Sequence, residues 1–286
     1  MSIPYEAELA VAIAAARQAG AIQRDLFGRL EHVAPKGKRD VVTEADYRSE
    51  NAIMAAITAA FPDDAIVTEE SGAHGVALAD AIDGPRGPAA AARAWFVDPL
   101  DGTVNFANGI PFYCAAVGFA FEGRPVVGVI YDPSRDELFQ AVAGRGATHD
   151  GAEFRVASGR QLEESLLGLV HHRGFLRSVA RLRPLVRAVR DLGSAALSVA
   201  YVGGSRLDGY VQPRGLAPWD LCAAGLIAEE GGATVTAFTG GPWFRYPDGR
   251  LRRGPDGVER PPSLGVLAAG PAIHVQLRTL LTARGS

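Results

Sequence analysis

The sequence predicts a mixed α/β protein in which sheets are layered with helices. Residues 111 to 157 contain apolar runs separated by short segments rich in Gly, Pro and polar residues, a pattern typical of antiparallel strands joined by hairpins. After about residue 160 the pattern changes to strands that alternate with helices, beginning with LLGLV at 166–170 and a helical segment at 175–190. Alternation of this kind favours sheets covered by helices.

The first 93 residues predict two helices and one short strand. Apolar residues recur with helical spacing over residues 6 to 28, which end at a glycine, and over residues 47 to 60, which stop before a Phe-Pro pair. Residues 65 to 70, AIVTEE, predict a strand that ends in two acids. Residues 72 to 93 are rich in Gly, Ala and Pro and carry little periodicity, so we expect a mobile surface excursion there.

The C-terminal region continues the alternation of elements. It contains an apolar segment at 194–204, a predicted strand at 207–212, a helix at 218–232, a strand at 233–238, a loop or weak hairpin at 240–262, and a closing strand and helix at 264–283. We expect residues 1–160 to form an N-terminal α+β part and residues 161–286 a C-terminal α/β part. The two parts should pack as one globular unit.

Composition excludes several classes of function. The chain has 286 residues, 48% of them hydrophobic, with 29 basic and 32 acidic side chains, which gives no electrostatic signature of a nucleic-acid or anionic-membrane partner. Cys114 and Cys222 lie in apolar stretches and predict buried free thiols, although a disulfide between them stays open. Without a leader or an apolar run of roughly 18 residues, we expect a cytoplasmic protein that acts on small molecules.

Acidic residues occur at four places where strand ends or helix starts could bring side chains to one edge of a sheet. These are Asp40 with Asp46, Glu69 with Glu70, Asp98 with Asp101, and Asp220. Each has a plain structural explanation when taken alone. Asp46 and Asp220 could cap helices by accepting hydrogen bonds from free N–H groups, and the two glutamates could belong to a solvated loop.

The stretch WFVDPLDGTVNF at 95–106 is harder to explain by structure alone. Asp98 and Asp101 lie three positions apart in a turn that Pro99 restrains, and Gly102 allows a close approach to a ligand. Two carboxylates this close repel each other, and a hard divalent cation such as Mg²⁺ would cancel the repulsion. N–H groups at Gly102 and Thr103 would then face the anion that the metal attracts.

Competing motifs fail on spacing. A calcium-binding helix-loop-helix needs oxygen ligands at loop positions one, three and five with Gly at six, whereas this turn has acids at one and four and Gly at five. A phosphatase of the haloacid dehalogenase type has D-x-D-G-T, but here Pro99 stands two positions before Asp101. A G-x-x-x-x-G-K-[ST] run does not occur.

Four motifs together resemble the inositol monophosphatase family. They are DVVTEAD at 40–46, TEES at 68–71, WFVDPLDGTVNF at 95–106 and PWDLCAAGLIAEEGG at 218–232. The resemblance implies a layered αβαβα sandwich, as in inositol monophosphatases and fructose-1,6-bisphosphatases, that is usually a homodimer. It also implies a lithium-sensitive hydrolase of phosphate monoesters with two or three Mg²⁺ ions in each active site.

The resemblance carries specific roles to this sequence. It implies that Glu69, Asp98 and the carbonyl of Leu100 hold one metal, and that Asp98, Asp101 and Asp220 hold a second. The catalytic residues would be Glu69, whose metal holds the attacking water, together with Thr103 and Asp46. Thr103, hydrogen-bonded to Asp46, would orient that water and help to deprotonate it. Glu70 would support the first metal or bind a third, and Lys36 is either the family's loop lysine or a solvated side chain.

Substrate contacts rest on the same resemblance. LGSAALSVAYVGGSRLDGY at 192–210 resembles the substrate-side segment of the family, and the implied substrate contacts are Asp101, Gly102, Thr103, Gly193, Ser194, Ala195, Ala196, Gln212 and Asp220. Gln212 replaces a glutamate common in the family, and Arg214 is an inserted positive charge that could favour a second anionic group. Inositol 1-phosphate is the first choice of substrate. The alternatives are fructose 1,6-bisphosphate, histidinol phosphate, 3′-phosphoadenosine 5′-phosphate, or a non-catalytic metal-binding protein on this fold.

Overall fold

The described helices and strands follow the alternation that the sequence predicts. The structure is a computed structural model that describes residues 4–36, 41–71, 73–74, 92–157, 159–170, 180–244, 252–253, 259–260 and 263–282. Its α-helices are α1 (Glu6–Leu26), α2 (Glu44–Ala60), α3 (Thr103–Ala107), α4 (Ala195–Gly203), α5 (Pro218–Glu230) and α6 (Pro271–Thr282). None of the helices in these ranges has the length and apolar character needed to cross a membrane.

Strands from the first half of the chain form an eight-stranded sheet. They are β3 (Ala65–Thr68), β4 (Ala73–His74), β5 (Arg93–Asp101), β6 (Cys114–Phe121), β7 (Arg124–Asp132), β8 (Glu137–Val142), β9 (Ala147–His149) and β10 (Ala152–Glu153), preceded by the small hairpin of β1 (Val33–Pro35) and β2 (Val41–Thr43). The sheet order is β10-β9-β8-β7-β6-β5-β3-β4. Only β3 and β5 pair in parallel among these described strands, so most of the sheet consists of the predicted local hairpins.

A second, five-stranded sheet comes from the C-terminal part. Its strands, together with a separate two-residue pair, are β11 (Leu166–Leu169), β12 (Ala188–Arg190), β13 (Gly209–Leu216), β14 (Thr234–Ala237), β15 (Arg252–Arg253), β16 (Glu259–Arg260) and β17 (Leu264–Ala269). The sheet order is β12-β11-β13-β17-β14, with β15 and β16 paired separately. The three strands β12, β11 and β13 run parallel, while β17 is antiparallel to both of its neighbours.

Five layers alternate through the molecule. Helices α1 and α2 cover one face of the eight-stranded sheet, and α4 and α5 lie between this sheet and the five-stranded one. Helix α6 covers the outer face of the second sheet. The arrangement is the predicted αβαβα sandwich, and one hydrophobic cluster contains residues of both sheets and of the helices between them.

Helix α5 lies unusually close to the eight-stranded sheet. A Cβ atom built on Gly118 would lie 2.6 Å from the Cys222 sulfur, and one on Gly128 would lie 2.6 Å from the Ala223 carbonyl oxygen. Only glycine permits this contact, because any side chain on these strands would push the helix outward. The close packing fixes the start of α5, where Asp220 lies, relative to β6 and β7, and β6 pairs with the strand that carries Asp98.

The structure corrects several element predictions. Helix α2 begins at Glu44 and not at residue 47, because Thr43 caps it. The predicted helix at 175–190 is wrong at its end: residues 180–182 are helical, but a 3-10 turn then contains Pro184, which cannot continue an α-helix, and β12 follows. Residues 175–179 lie outside the described residues.

Two loop predictions are also affected. Ala73 and His74 form an edge strand on β3 where a surface excursion was expected, while residues 75–91 lie outside the described ranges. Between 240 and 262, the pairing of β15 with β16 matches the weak-hairpin alternative, with the intervening and flanking residues outside the described ranges. Both cysteines are free and buried, so the alternative of a disulfide is wrong.

Candidate metal centre

The turn after β5 brings two acids to the edge of the sheet through an irregular strand pairing. Asp98 pairs with Ala116 and Asp101 pairs with Cys114, so β5 contains one more residue than β6 over this stretch. An extra residue of this kind re-aims the side chains that follow it. Gly102 then adopts a φ of 99°, and a Cβ there would lie 3.0 Å from the Phe112 carbonyl oxygen, so this position requires glycine.

Three carboxylates converge at this edge. Asp98, Asp101 and Asp220 each offer an oxygen within 4.8 Å of the others, an arrangement that could hold a metal ion. Asp98 is 1% exposed, and burial followed by the charges of Glu69, Asp101 and Asp220 raises its pKa well above the ordinary value. Burial likewise raises the pKa of Asp220, with further contributions from Asp101 and Glu69. Protons and a cation would therefore compete for these oxygens.

Asp220 combines the two interpretations that the sequence left open. It lies in the first turn of α5, where its Oδ2 accepts a hydrogen bond of 2.7 Å from the Ala217 N–H. This contact satisfies one free donor of the helix terminus. The same carboxylate also belongs to the three-acid cluster, so capping does not remove it from the site.

Asp46 and Thr103 meet beside the cluster. Asp46 is fully buried in the first turn of α2, where its Oδ2 accepts hydrogen bonds from the Thr43 N–H at 2.8 Å and from the Thr43 hydroxyl at 2.7 Å. Its Oδ1 lies 2.9 Å from the Thr103 hydroxyl, which is also 2.9 Å from the Leu100 carbonyl oxygen. Burial raises the pKa of Asp46 to about 6, although the hydrogen bonds from Thr43 and Thr103 lower it.

Lys36 lies against the two glutamates that follow β3. Its ammonium nitrogen is 2.7 Å from a Glu69 oxygen and 2.6 Å from a Glu70 oxygen. Burial lowers the pKa of Lys36, but the two carboxylates raise it by more, so the pKa lies above its ordinary value. Burial raises the pKa of Glu70 to about 7 despite this ion pair. Lys36 is thus bound at the site, and the alternative of a solvated side chain is wrong. Asp40, another of the acids singled out in the sequence, lies outside the described residues.

The segment predicted to contact substrate lies directly behind Asp101. The Asp101 carboxylate accepts hydrogen bonds from the Ser194 hydroxyl at 2.5 Å, the Ala196 N–H at 2.7 Å and the Ala195 N–H at 3.3 Å. Gly193 precedes these donors with a φ of 78°. The burial of Asp101 raises its pKa, whereas the donors of this segment lower it.

Gln212 lies on β13 and is hydrogen-bonded to two residues of the same strand. Its Oε1 accepts a hydrogen bond from the Tyr210 hydroxyl, and its Nε2 donates to the Arg214 carbonyl oxygen at 3.2 Å. Burial raises the pKa of Tyr210, and the negative charges of Asp101 and Asp220 raise it further. The tyrosine therefore lies near both acids. Arg214 is exposed within an irregular stretch between Gln212 and Leu216, where the pairing of β13 with β17 shifts.

Two buried polar side chains that the sequence reasoning missed hold the acid-bearing turns. Glu50, 1% exposed, accepts hydrogen bonds from the Glu70 N–H at 2.9 Å and the Ser71 N–H at 3.0 Å. Gln23 donates its amide to the Pro99 carbonyl at 2.6 Å. Glu50 follows Asp46 by one helical turn, and Gln23 interrupts the alanine-rich face of α1; these were the available signals.

The donor set fits a hard divalent cation. The cluster presents three carboxylates, and hard cations such as Mg²⁺ prefer oxygen ligands. Buried acids this close are unfavourable without positive charge. Lys36 already supplies an ammonium to Glu69 and Glu70.

Comparisons with known proteins agree with this geometry. The model of the inositol monophosphatase family matches residues 5–264. The chain is 38% identical over 246 residues to Nus factor SuhB of Pasteurella multocida, covering 82% of this chain and 86% of that protein. It is 38% identical over 233 residues to inositol monophosphatase 2 of Solanum lycopersicum, covering 79% and 85%.

Solved structures lead to the same family. The inositol monophosphatase of Anabaena (Nostoc) sp. PCC 7120 superposes with a TM-score of 0.79 at 32% identity, covering 99% of this chain and 98% of that one. The IMPase of Thermotoga maritima gives a TM-score of 0.80 at 29% identity, covering 96% of each chain. On the family match and these similarities, the chain belongs to the inositol monophosphatase family.

Proposed function

We propose that the protein is a magnesium-dependent phosphate monoester hydrolase and that inositol 1-phosphate is its substrate. The observation that carries this proposal is the convergence of Asp98, Asp101 and Asp220 within 4.8 Å, beside the hydrogen-bonded pair of Thr103 and Asp46. A phosphate monoester resists hydrolysis because its negative charge repels the attacking oxygen. Catalysis therefore requires positive charge at the phosphoryl oxygens and a group that takes a proton from water.

Magnesium would supply the first requirement. When bound, Mg²⁺ neutralises phosphoryl oxygens and lowers the pKa of coordinated water. We assign one ion to Glu69, Asp98 and the Leu100 carbonyl, and a second to Asp98, Asp101 and Asp220. Glu70 would support a third ion or the first one, and Lys36 would leave Glu69 when a cation binds there.

Thr103 and Asp46 would meet the second requirement. A threonine hydroxyl has one proton, so Thr103 can donate to the Leu100 carbonyl or to Asp46 but not to both. If the Leu100 carbonyl helps to hold a cation, the Thr103 hydroxyl would donate to Asp46, and its oxygen would be left to accept a hydrogen bond from water. The water's proton then passes to Thr103 as the hydroxyl proton passes to Asp46. A raised pKa of about 6 suits Asp46 to accept this proton near neutral pH.

Substrate preference would depend on the groups near Gln212. Gln212 can still hydrogen-bond a ring hydroxyl through its remaining amide N–H, because Tyr210 and the Arg214 carbonyl use only part of its capacity. The Arg214 guanidinium could attract a second phosphate or a carboxylate. Fructose 1,6-bisphosphate, histidinol phosphate and 3′-phosphoadenosine 5′-phosphate are the alternative substrates on this scaffold.

A comparison of four substrates tests the proposal. We expect kcat/KM at saturating Mg²⁺ to be highest for inositol 1-phosphate. A tenfold preference for one of the alternatives, about 1.4 kcal/mol of transition-state discrimination, would replace the specific substrate but keep the metal chemistry. In that case Arg214→Ala should selectively lower kcat/KM for the preferred anionic substrate. Absence of phosphate release from all four would favour a non-catalytic metal-binding protein.

Further properties are proposed on the strength of the family. Lithium at millimolar concentration should inhibit turnover while sodium should not, which a steady-state assay can check. We also propose a homodimer in the cytoplasm, and the two free cysteines are consistent with a reducing compartment. Sedimentation analysis would measure the dimer.

The division into parts at residue 160 is a further proposal. The hydrophobic cluster shared by both sheets supports the packing of residues 1–160 and 161–286 as one unit. A single cooperative unfolding transition, seen equally by calorimetry and by circular dichroism, is the expected result.

A further inference from the structure

The first turn of α4 binds both oxygens of the Asp101 carboxylate. Oδ2 accepts hydrogen bonds from the Ser194 hydroxyl at 2.5 Å and the Ala196 N–H at 2.7 Å, and a weak one from the Cys114 thiol at 3.9 Å. Among the described residues, the donor found for Oδ1 is the Ala195 N–H, at the longer distance of 3.3 Å. The two oxygens are therefore unequal. Oδ2 already receives two strong hydrogen bonds, and Oδ1 keeps most of its capacity to bind a cation.

Ser194 is fixed in place from the opposite side. The Asn105 amide donates to the Leu192 carbonyl at 2.7 Å and to the Phe112 carbonyl at 2.7 Å, which ties the segment before α4 to the loop between α3 and β6. A Cβ on Gly193 would lie 2.7 Å from that amide, so the segment passes directly over Asn105. Ser194 itself is 2% exposed. Its hydroxyl also lies 3.9 Å from the Cys114 sulfur, which is a weak hydrogen-bonding partner, so Asp101 is the stronger of the two partners.

Ser194 is placed differently from a residue that contacts substrate. A group that binds substrate must face the open site, yet the single hydroxyl proton of Ser194 and the N–H of Ala196 are both given to Asp101. Asp101 also comes from the N-terminal part of the chain, 93 positions before Ser194. The contact therefore joins the turn that carries two acids to the helix layer between the sheets.

We propose that Ser194 is a positioning residue that holds the Asp101 carboxylate so that Oδ1 faces the cation shared with Asp98 and Asp220. The inference rests on the proposed metal centre and gives Ser194 a different role from substrate binding. Without the hydroxyl, repulsion from the two neighbouring acids would favour rotation of Asp101 away from them. Partners that orient metal ligands commonly account for a 10- to 100-fold difference in metal affinity.

Measurements of metal affinity and of KM distinguish a role of Ser194 in positioning Asp101 from a role in binding substrate. Calorimetric titration of the metal-free protein with Mn²⁺, without substrate, should show that Ser194→Ala weakens binding about 10- to 100-fold. KM for inositol 1-phosphate, measured at saturating Mg²⁺, should stay within about twofold of wild type because no substrate contact is lost. Ser194→Thr, which keeps the hydroxyl, should restore most of the Mn²⁺ affinity.

Ser198→Ala is the matched control. Ser198 lies one turn later on α4, is also buried, and donates its hydroxyl to the Ser194 carbonyl at 2.5 Å without touching Asp101. This variant should bind Mn²⁺ like wild type even if its melting temperature falls. If Ser194→Ala does not fold, Ser194→Cys provides the test, because a thiol is a weak donor and should give an affinity between those of Ala and Ser.

The outcomes are distinct. Unchanged Mn²⁺ affinity with a raised KM in Ser194→Ala would assign the serine to substrate and overturn the inference. If both the Mn²⁺ affinity and KM of Ser194→Ala are unchanged, the inference is overturned as well. If the wild-type protein binds no Mn²⁺, the metal centre of the proposed function fails, and the inference fails with it.

Discussion

The hydroxyl of Thr103 lies 2.9 Å from Oδ1 of Asp46, although 57 positions separate the two residues in sequence. One residue begins the short helix α3 and the other lies in the first turn of α2. Their contact places a buried carboxylate behind a hydroxyl that follows Asp101 by two positions. This pair leads to the first two predictions.

Thr103→Val removes the hydroxyl while keeping a side chain of similar shape. We expect kcat to fall on the order of 10²- to 10⁴-fold, which is the usual contribution of a positioned proton-transfer group. Thr103→Ser keeps the hydroxyl and should retain most of the activity. Equal rates for the valine and serine variants, in a phosphate-release assay at saturating Mg²⁺, would remove Thr103 from the chemistry.

The activity should depend on pH through Asp46. Its carboxylate must be ionised to accept a proton, and burial raises its pKa to about 6, so kcat/KM should rise as the pH increases through that value. Asp46→Asn keeps the acceptor for the Thr43 N–H at the start of α2 but cannot take the proton. A pH profile checks both points: the residual rate of the variant should lack this acidic limb, and an unchanged limb would assign it to another group.

Asp220→Asn tests whether this residue does more than cap α5. An asparagine oxygen can still accept the hydrogen bond from the Ala217 N–H, so we expect little loss of stability. Loss of one negative charge from a shared site should weaken metal binding and lower turnover on the order of a hundredfold or more. Calorimetric Mg²⁺ titration together with kcat is the measurement.

A matched variant makes the result for Asp220 specific. Asp132 is a buried acid at the end of β7, outside the three-acid cluster, and its oxygens accept hydrogen bonds from Ser134 and Arg135. Asp132→Asn should lower the melting temperature without changing Mg²⁺ affinity. Near-wild-type activity and metal affinity in Asp220→Asn would reduce the residue to a helix cap.

The metal-free protein should become less stable as the pH rises. Asp98, Asp101 and Asp220 have raised pKa values in the folded state, so the folded protein keeps protons that the unfolded chain releases above about pH 4. Their contribution to stability is fully present below that pH and is lost as the pH rises through the folded pKa values. Mg²⁺ should bind the ionised carboxylates and restore the stability.

Melting temperatures in chelator and in Mg²⁺, compared at each pH between 5 and 9, measure this effect. The difference between the two media should grow with pH, because protons compete with the cation at low pH. Taking this difference in melting temperature also cancels the pH-dependent stability of groups outside the site, such as His274, whose pKa is lowered by burial. A difference that does not change with pH would contradict the acid cluster as the binding site.

The parts of the fold that the sequence predicts are those with local signals. Helix α1 follows from its alanine-rich periodicity, and the turn at Asp98 and Asp101 follows from the spacing of acids around Pro99. Strand β12 was missed because its pairing with β11 depends on contacts more than twenty positions away, whereas the local sequence has helical character. Tertiary pairing overrode local propensity there.

The supporting residues of the site were harder to find for a related reason. Glu50 binds the backbone N–H of Glu70, which every residue except proline has, and Gln23 binds the backbone carbonyl of Pro99, which every residue has. No pattern of side chains therefore marks these contacts. Ser194 belongs to the segment 192–210, whose resemblance to the family is evident from the sequence. Its hydrogen bond to Asp101 is evident only in the structure, where α4 packs against the turn. Motifs located the acids, and the packing of helices on sheets determined what orients them.

The most direct test of the account is phosphate release from inositol 1-phosphate by the purified protein, first in excess chelator and then with Mg²⁺ added back. The account predicts no release above background in chelator and recovery of turnover with Mg²⁺, because Asp98, Asp101 and Asp220 provide binding for the cation but no positive charge of their own. Full activity in excess chelator would contradict the metal-dependent mechanism.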